Sequence, residues 1–388
     1  MMPAVKKRIV LCLDGTWNQV SDPRKVTNVV RLAQAVRPLA ADGTPQVVYY
    51  NSGVGTGDAL DKLLGGVVGR GLRANVKRAY AFLSLNYEPG DEIYVFGFSR
   101  GAYTARAVAG VVCASGILRK EHFDNFEVAW NFYRQPPTAR RTGGTKAVSA
   151  YRQNERKLHT AARVRCVGVW DTVGSYGVPA GIGLGAFARY FTSWMRGFHD
   201  RQISDQVDIG LHAMALDECR RPFAPTFWTA PPAKPPKAHV EQVWFAGVHS
   251  NVGGGYEDAR LADVALNWMI ARVMALGREK FQSTLDFDTA FLKDRTTPSW
   301  QGTQYRSERR WPISRLFPYR RQVFGGPAAK TGEVPINERI HWSVQSRLEQ
   351  PAAVDGAGER SYLPVNVRRP VDGALIASIT PEEELLGS

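Results

Sequence analysis

The chain has 388 residues, 44% of them hydrophobic and 22% charged, a balance that sustains a full buried core and excludes a disordered or low-complexity protein. Its length is a soft prior for two or three domains, which one large α/β unit also satisfies. Lys and Arg exceed Asp and Glu by 50 to 36, and the net charge of +14 favours acidic partners such as phospholipid headgroups, nucleic acid or an acidic protein.

Met1–Val10 meets the cluster Lys6-Lys7-Arg8 too early for a secretory signal, so synthesis in the cytoplasm without a signal peptide is expected. No run of 18 uncharged apolar residues reads as a membrane span. Apolar strands are expected at Arg8–Leu13, Gln46–Tyr50, Glu92–Phe98, Val164–Trp170 and Val240–Ala246, each short, rich in Val, Ile or aromatics, and stopped by Gly, Asp, Asn or Ser. Helices are expected between and after them: Thr27–Val36 with Thr27 as N-cap, Leu72–Asn86, Arg100–Ser115 and Leu261–Leu276. The alternation predicts an α/β fold, a mostly parallel sheet covered by helices on both faces, in one catalytic domain over residues 1–388.

Residues 116–162 and 174–210 read as insertions and candidate caps. In the second, Phe187, Tyr190, Phe191, Trp194, Met195 and Phe198 form one bulky helical face, suited equally to a lid over a cleft and to core packing. Residues 290–388 read as a basic extension of the same domain. Within it, Trp300–Phe324 interleaves six arginines, including Arg309, Arg310, Arg320 and Arg321, with six aromatics. That pattern suits a surface loop on anionic lipid, or a merely solvated face with the aromatics inward. It is the one stretch that suggests nucleic acid, and such segments are common without that role, so no nucleic-acid partner is expected.

The strongest local signal is Gly97-Phe98-Ser99-Arg100-Gly101, which follows a strand and opens a small-residue helix. A strand, sharp turn and helix around GxSxG is the nucleophile elbow, whose glycines let the turn pass close to neighbouring backbone and lift the serine hydroxyl into the cleft. The Arg100 amide, at the helix N-terminus, points at a developing oxyanion. The other half of the oxyanion hole is expected from the amides of Gly15 and Thr16 after the first strand. The elbow calls for an acid and then a histidine later in the chain. Asp171 and His249 each follow a predicted strand in that order, giving Ser99 as nucleophile, His249 as base and Asp171 as orienting acid. Asp217 is the reserve acid, and it is also placed to pair with His212, five residues away.

Rival motifs fail at essential residues. Leu13-Asp14-Gly15-Thr16 has Cys12 where an aspartyl phosphatase needs its nucleophile, so Asp14 is expected to tie down a loop. Gly53–Gly57 lacks the Gly-Lys-Ser/Thr ending of a phosphate loop. Cys12, Cys113, Cys166 and Cys219 show neither CxxC nor zinc spacing, and are expected as reduced thiols. The chemistry calls for no metal and no organic cofactor.

Several segments together resemble a known family: LDGTWN at Leu13–Asn18, GVGTG at Gly53–Gly57, GFSRGA at Gly97–Ala102, WDTVGS at Trp170–Ser175, HAMALDE at His212–Glu218 and VWFAGVHSNVGGGY at Val243–Tyr256. A weaker echo runs through Ile340–Val344, Arg347 and Tyr362–Pro364. The set resembles the catalytic domain of the type VI secretion lipase effectors of the Tle group, class one, and of related uncharacterised α/β hydrolases. The resemblance implies phospholipid ester hydrolysis by a triad that falls, position by position, on Ser99, Asp171 and His249. It also implies export by type VI secretion to the periplasm or membrane of a target cell, with a secretion-apparatus or immunity protein as partner. The chain departs from the family at Asn251, where Asp is usual. An esterase or thioesterase for a soluble substrate, and a binding module with a vestigial elbow, stand as alternatives.

Overall fold

The computed structural model describes residues 7–15, 25–53, 67–173, 202–307, 319–324, 332–364, 366 and 367. Along the chain run β1 (Arg8–Leu13), α1 (Asn28–Ala35), β2 (Gln46–Asn51), α2 (Val67–Asn86), β3 (Glu92–Phe98), α3 (Arg100–Ser115), α4 (Phe126–Tyr133), α5 (Lys146–Asn154), β4 (Val164–Trp170), β5 (Val207–Ala215), β6 (His239–Phe245), α6 (His249–Gly253), α7 (Arg260–Phe281), β7 (Glu338–Ile340) and α8 (Trp342–Glu349). Among the described residues the strands form a seven-stranded sheet in the order β7-β6-β5-β4-β3-β1-β2. Every neighbouring pair in it is parallel. This is an α/β-hydrolase-like architecture.

The strands are apolar on both faces because both are covered. On β1, Ile9, Leu11 and Leu13 join the core formed with α2, α3 and α4, while Val10 and Cys12 join the core formed with α1 and α7. Thr27 caps α1 as expected, its hydroxyl accepting from Val30 N at 3.3 Å. The chain leaves β1 for β2 on one side and returns to β3 on the other. The strand order therefore reverses between β1 and β3, the point beyond whose carboxyl ends open parallel α/β sheets bind their ligands.

The segment 116–162 packs onto that sheet's helical layer. Phe126 and Trp130 stack at 5.5 Å, Phe132 and Tyr151 at 3.7 Å, and the Tyr151 hydroxyl donates to Ser115 O at 3.1 Å. Two strands differ from expectation. β5 lies between β4 and β6 and begins at Val207, inside the stretch 174–210 expected as an insertion. Asp208, Gly210 and His212 interrupt its apolar run and conceal it in the sequence. β7, three residues long, adds the C-terminal region to the sheet edge beside β6. The candidate lid helix Phe187–Phe198 lies outside the described residues, as do Thr16, Arg309, Arg310 and Arg315. Among the described residues no helix is long and apolar enough to cross a membrane.

Candidate active site

Ser99 sits between β3 and α3 with φ 59° and ψ −120°. A non-glycine residue holds such a conformation only when its surroundings impose it. Here they do. A Cβ on Gly97 would stand 2.5 Å from Gly101 O, and a Cβ on Gly101 would stand 2.0 Å from Leu13 O and 2.6 Å from Asp14 O. The two glycines thus let the helix start press against β1 and the end of β3, and Ser99 is levered to the top of the turn. Its amide donates to Trp170 O at 3.1 Å, tying the elbow to the end of β4.

Asp171 follows β4 directly, also at positive φ (38°), and is fully buried. His249 opens α6 after β6. His249 Nδ1 lies 2.6 Å from Asp171 Oδ2. The imidazole is held between two rings, Phe98 at 4.6 Å and Phe223 at 4.9 Å, and Phe98 is the residue before Ser99. The His249 amide donates to Glu218 Oε2 at 3.2 Å, and Glu218 also takes the Arg220 guanidinium at 2.8 Å through both oxygens.

Charge and burial poise the pair. Burial opposes ionisation of Asp171, yet the Arg321 charge and the bonds from His249 and Arg321 hold it well below the usual carboxylate range. Burial lowers His249, against the pull of Asp171 in the other direction, so the imidazole is neutral near pH 7 and able to accept a proton. Such an arrangement can take a proton from a hydroxyl and return it to a leaving group.

Other predicted residues land elsewhere. Asp217 does not approach His249: its Oδ2 accepts from Gly247 N at 2.6 Å and from the Tyr362 hydroxyl at 2.8 Å. Burial raises it to about 6. It braces the loop that delivers His249, and the reserve-acid assignment is withdrawn. Nor does it pair with His212, whose Nε2 accepts from Thr172 N at 3.1 Å and whose Nδ1 lies 3.5 Å from Gln242 Oε1. The Gly15 amide donates to Asp14 Oδ1 at 2.7 Å and so is already engaged where an oxyanion donor was expected. Asp14 does tie the loop, accepting also from the Thr27 hydroxyl at 2.6 Å and the Tyr50 hydroxyl at 3.1 Å. Asn251 accepts from Val248 N and Tyr305 N, each at 3.2 Å, and donates to Thr303 O at 3.0 Å. The bond to Thr303 O needs the N–H of an amide, which a carboxylate at this position would not supply.

The residue missed by sequence reasoning is Arg321. Read as part of a lipid-facing stretch, it is buried instead, with Nη1 2.5 Å from Asp171 Oδ1 and Nη2 2.9 Å from Oδ2. No local pattern separates it from Arg306 and Arg320, which are exposed.

An uncharacterized protein of Saccharomyces cerevisiae is 28% identical over 246 residues, 59% of this chain and 34% of the relative. An uncharacterized protein from Pseudomonas aeruginosa has a similar solved structure, with TM-score 0.41 and 18% identity over 75% of this chain and 47% of that one. A Tle1 effector solved bound to the VgrG spike of the type 6 secretion system gives TM-score 0.34 and 20% identity over 65% of this chain and 51% of that one. The chain thus spans about a third of the yeast relative and about half of each solved chain. The model of the T6SS phospholipase effector Tle1-like catalytic domain matches residues 7–272, well over half of the sequence, and the chain belongs to that family.

Proposed function

We propose that the chain is a serine hydrolase of carboxylic esters, with phospholipid acyl esters as its substrate class, acting through Ser99, His249 and Asp171. The observation that carries this reading is the 2.6 Å bond from His249 to Asp171, with the His249 ring against Phe98, the residue before a strained elbow serine, in a member of a phospholipase effector family. Ser99 Oγ attacks the acyl carbonyl carbon while His249 Nε2 takes the hydroxyl proton. The N–H of Arg100, at the first helical position of α3, meets the charge that forms on the carbonyl oxygen. The bond to the alcohol then breaks, and His249 returns its proton to the leaving oxygen. Water repeats the sequence on the acyl-serine, releasing the fatty acid and restoring Ser99. Asp171 holds the imidazole in the tautomer with Nδ1–H and stabilises the imidazolium. No metal or cofactor enters the scheme. Delivery by type VI secretion, with a secretion-apparatus partner, goes with this reading through the family alone.

Incubation with a total lipid extract, followed by mass spectrometry, tests it. Lysophospholipid and free fatty acid are expected, and Ser99→Ala should lower their release by roughly 10³-fold or more while the protein stays folded. Full activity in Ser99→Ala would overturn the nucleophile. Hydrolysis confined to soluble esters or thioesters would overturn the substrate class.

A further inference from the structure

Arg321 grips the acid of the site with both arms of its guanidinium. Besides the two contacts to Asp171, Nη1 donates to Ala215 O at 2.6 Å and Nη2 to Phe223 O at 2.5 Å. The fork is thereby pinned to the end of β5 and to the loop that carries Phe223, one of the two rings against His249. Neither Arg321 nor Asp171 exposes any of its side chain. The Asp171 oxygen that receives His249 Nδ1 also receives Arg321 Nη2, so one carboxylate is shared between base and guanidinium.

We propose that Arg321 is a positioning residue of the triad, one that fixes both oxygens of Asp171 and offsets its charge, and so tunes proton transfer at His249. The inference rests on the serine-hydrolase reading above. A two-point fork sets the carboxylate plane, which a compact ammonium would not do. It also weakens the field that Asp171 exerts on the imidazole, because a cation and an anion in contact act on a third group mostly as a dipole.

The other charged groups around His249 already balance: Glu218 accepts its backbone N–H, and Arg220 is paired with Glu218. His212 reaches the Asp171 turn through Thr172 N, and burial keeps it neutral. Two carboxylates therefore stand against two guanidiniums around a neutral imidazole. Removing Arg321 leaves the site with a net negative charge that favours the imidazolium. The base would then be protonated, and inactive, at a higher pH than in the wild type.

The test is the pH profile of kcat/KM on a short soluble ester for wild type, Arg321→Gln and Arg321→Lys, with Ser99→Ala as the blank. Circular dichroism and Tm give the folded fraction. Arg321→Gln should move the acid limb up by about one pH unit, the scale expected for loss of a nearby buried charge. Arg321→Lys, which keeps the charge and loses the fork, should leave the limb in place and lower kcat by about tenfold. A folded Arg321→Gln protein with an unmoved limb would overturn the inference, since a purely structural role lowers the amount of active enzyme without shifting its pH profile. If neither variant folds, nuclear magnetic resonance on the wild type decides. The His249 imidazole is expected to titrate below the ordinary histidine value, and titration above it overturns the inference. An active Ser99→Ala would sink the hydrolase reading separately, because the imidazole titration does not depend on turnover.

Discussion

Ser99 and Asp171 both hold positive φ: at Ser99 the close approach allowed by the elbow glycines imposes it, and at Asp171 the carboxylate is held by His249, Arg321 and the Ala215 amide. Strain of about 1–3 kcal/mol per residue persists only where such neighbours over-determine it. Asp171→Asn should keep the shape of the turn but supply the wrong partner for Nδ1–H, and the corresponding change in a Ser-His-Asp triad costs about 10⁴ in kcat. It should also lower Tm, because Arg321 is left as a buried cation without its carboxylate, so rates are to be normalised to folded protein. Asp217→Asn should stay close to wild type in kcat, since Asp217 touches Gly247 and Tyr362 and not His249. The reverse ranking in steady-state kinetics would reassign the acid.

His212 gives a pH prediction at the same scale. Burial, reinforced by the Arg106 charge, lowers it from 6.5 to about 3. The unfolded chain therefore takes up this proton first as pH falls. Stability from the neutral ring is full above about 6.5 and is lost as pH drops toward about 3. His249 is also lowered and adds in the same sense, whereas Asp217, raised from 3.8 to about 6, opposes it between those values. From pH 6.5 to pH 5, His212 alone should cost about 2 kcal/mol. Urea unfolding of His212→Gln, whose amide can still receive Thr172 N–H, should show that much less loss over the interval. Equal losses in both proteins would refute it.

At the scale of elements, legibility followed burial pattern. β1 and β3 carry apolar runs interrupted only by Gly97, β4 and β6 end in apolar or aromatic stretches stopped by Asp171 and Gly247, and the sequence places each within a residue or so of its observed bounds. β5 escaped because Asp208, Gly210 and His212 break its run, although the strand is nearly all buried. A Cβ on Gly210 would meet Ile203 Cδ1 at 2.6 Å, so that glycine serves packing and not a turn. β7 is too short to carry a period. The elbow was readable because its glycines have a steric purpose that local sequence expresses. Gly101→Ala tests this purpose: with Leu13 O at 2.0 Å, backbone must shift, and the cost should reach about 3 kcal/mol, the upper range for overpacking. Activity should fall with it as α3 is pushed off β1. Unchanged urea unfolding would mean the turn has room that the geometry denies.

At the scale of the whole molecule, Ser99, Asp171 and His249 were legible as candidates for the proposed triad because parallel topology delivers the ends of β3, β4 and β6 to one sheet edge. Arg321 was not, because it arrives from 150 residues beyond Asp171 and no local periodicity encodes such a contact. Its burial also changes the membrane expectation. The net charge of +14 remains, but Arg321 cannot meet a headgroup without abandoning Asp171. The exposed Arg306 and Arg320 remain available, and they border a cleft of about 500 Å³ together with Tyr305, Tyr319 and Tyr362. Each cation near an anionic surface contributes about 1 kcal/mol, and that attraction is screened as the Debye length shrinks from about 10 Å at 0.1 M salt to about 3 Å at 1 M. Hydrolysis of phosphatidylglycerol vesicles should therefore fall steeply over that range, while hydrolysis of a short soluble ester should hardly change, since the buried pair of Asp171 and His249 is screened little. Arg306→Glu with Arg320→Glu should reproduce the loss at low salt and spare the soluble ester. If both substrates fall together, the two arginines support the fold. If vesicle hydrolysis ignores salt, docking is apolar, and the positive charge of the chain has no part in bringing it to its substrate.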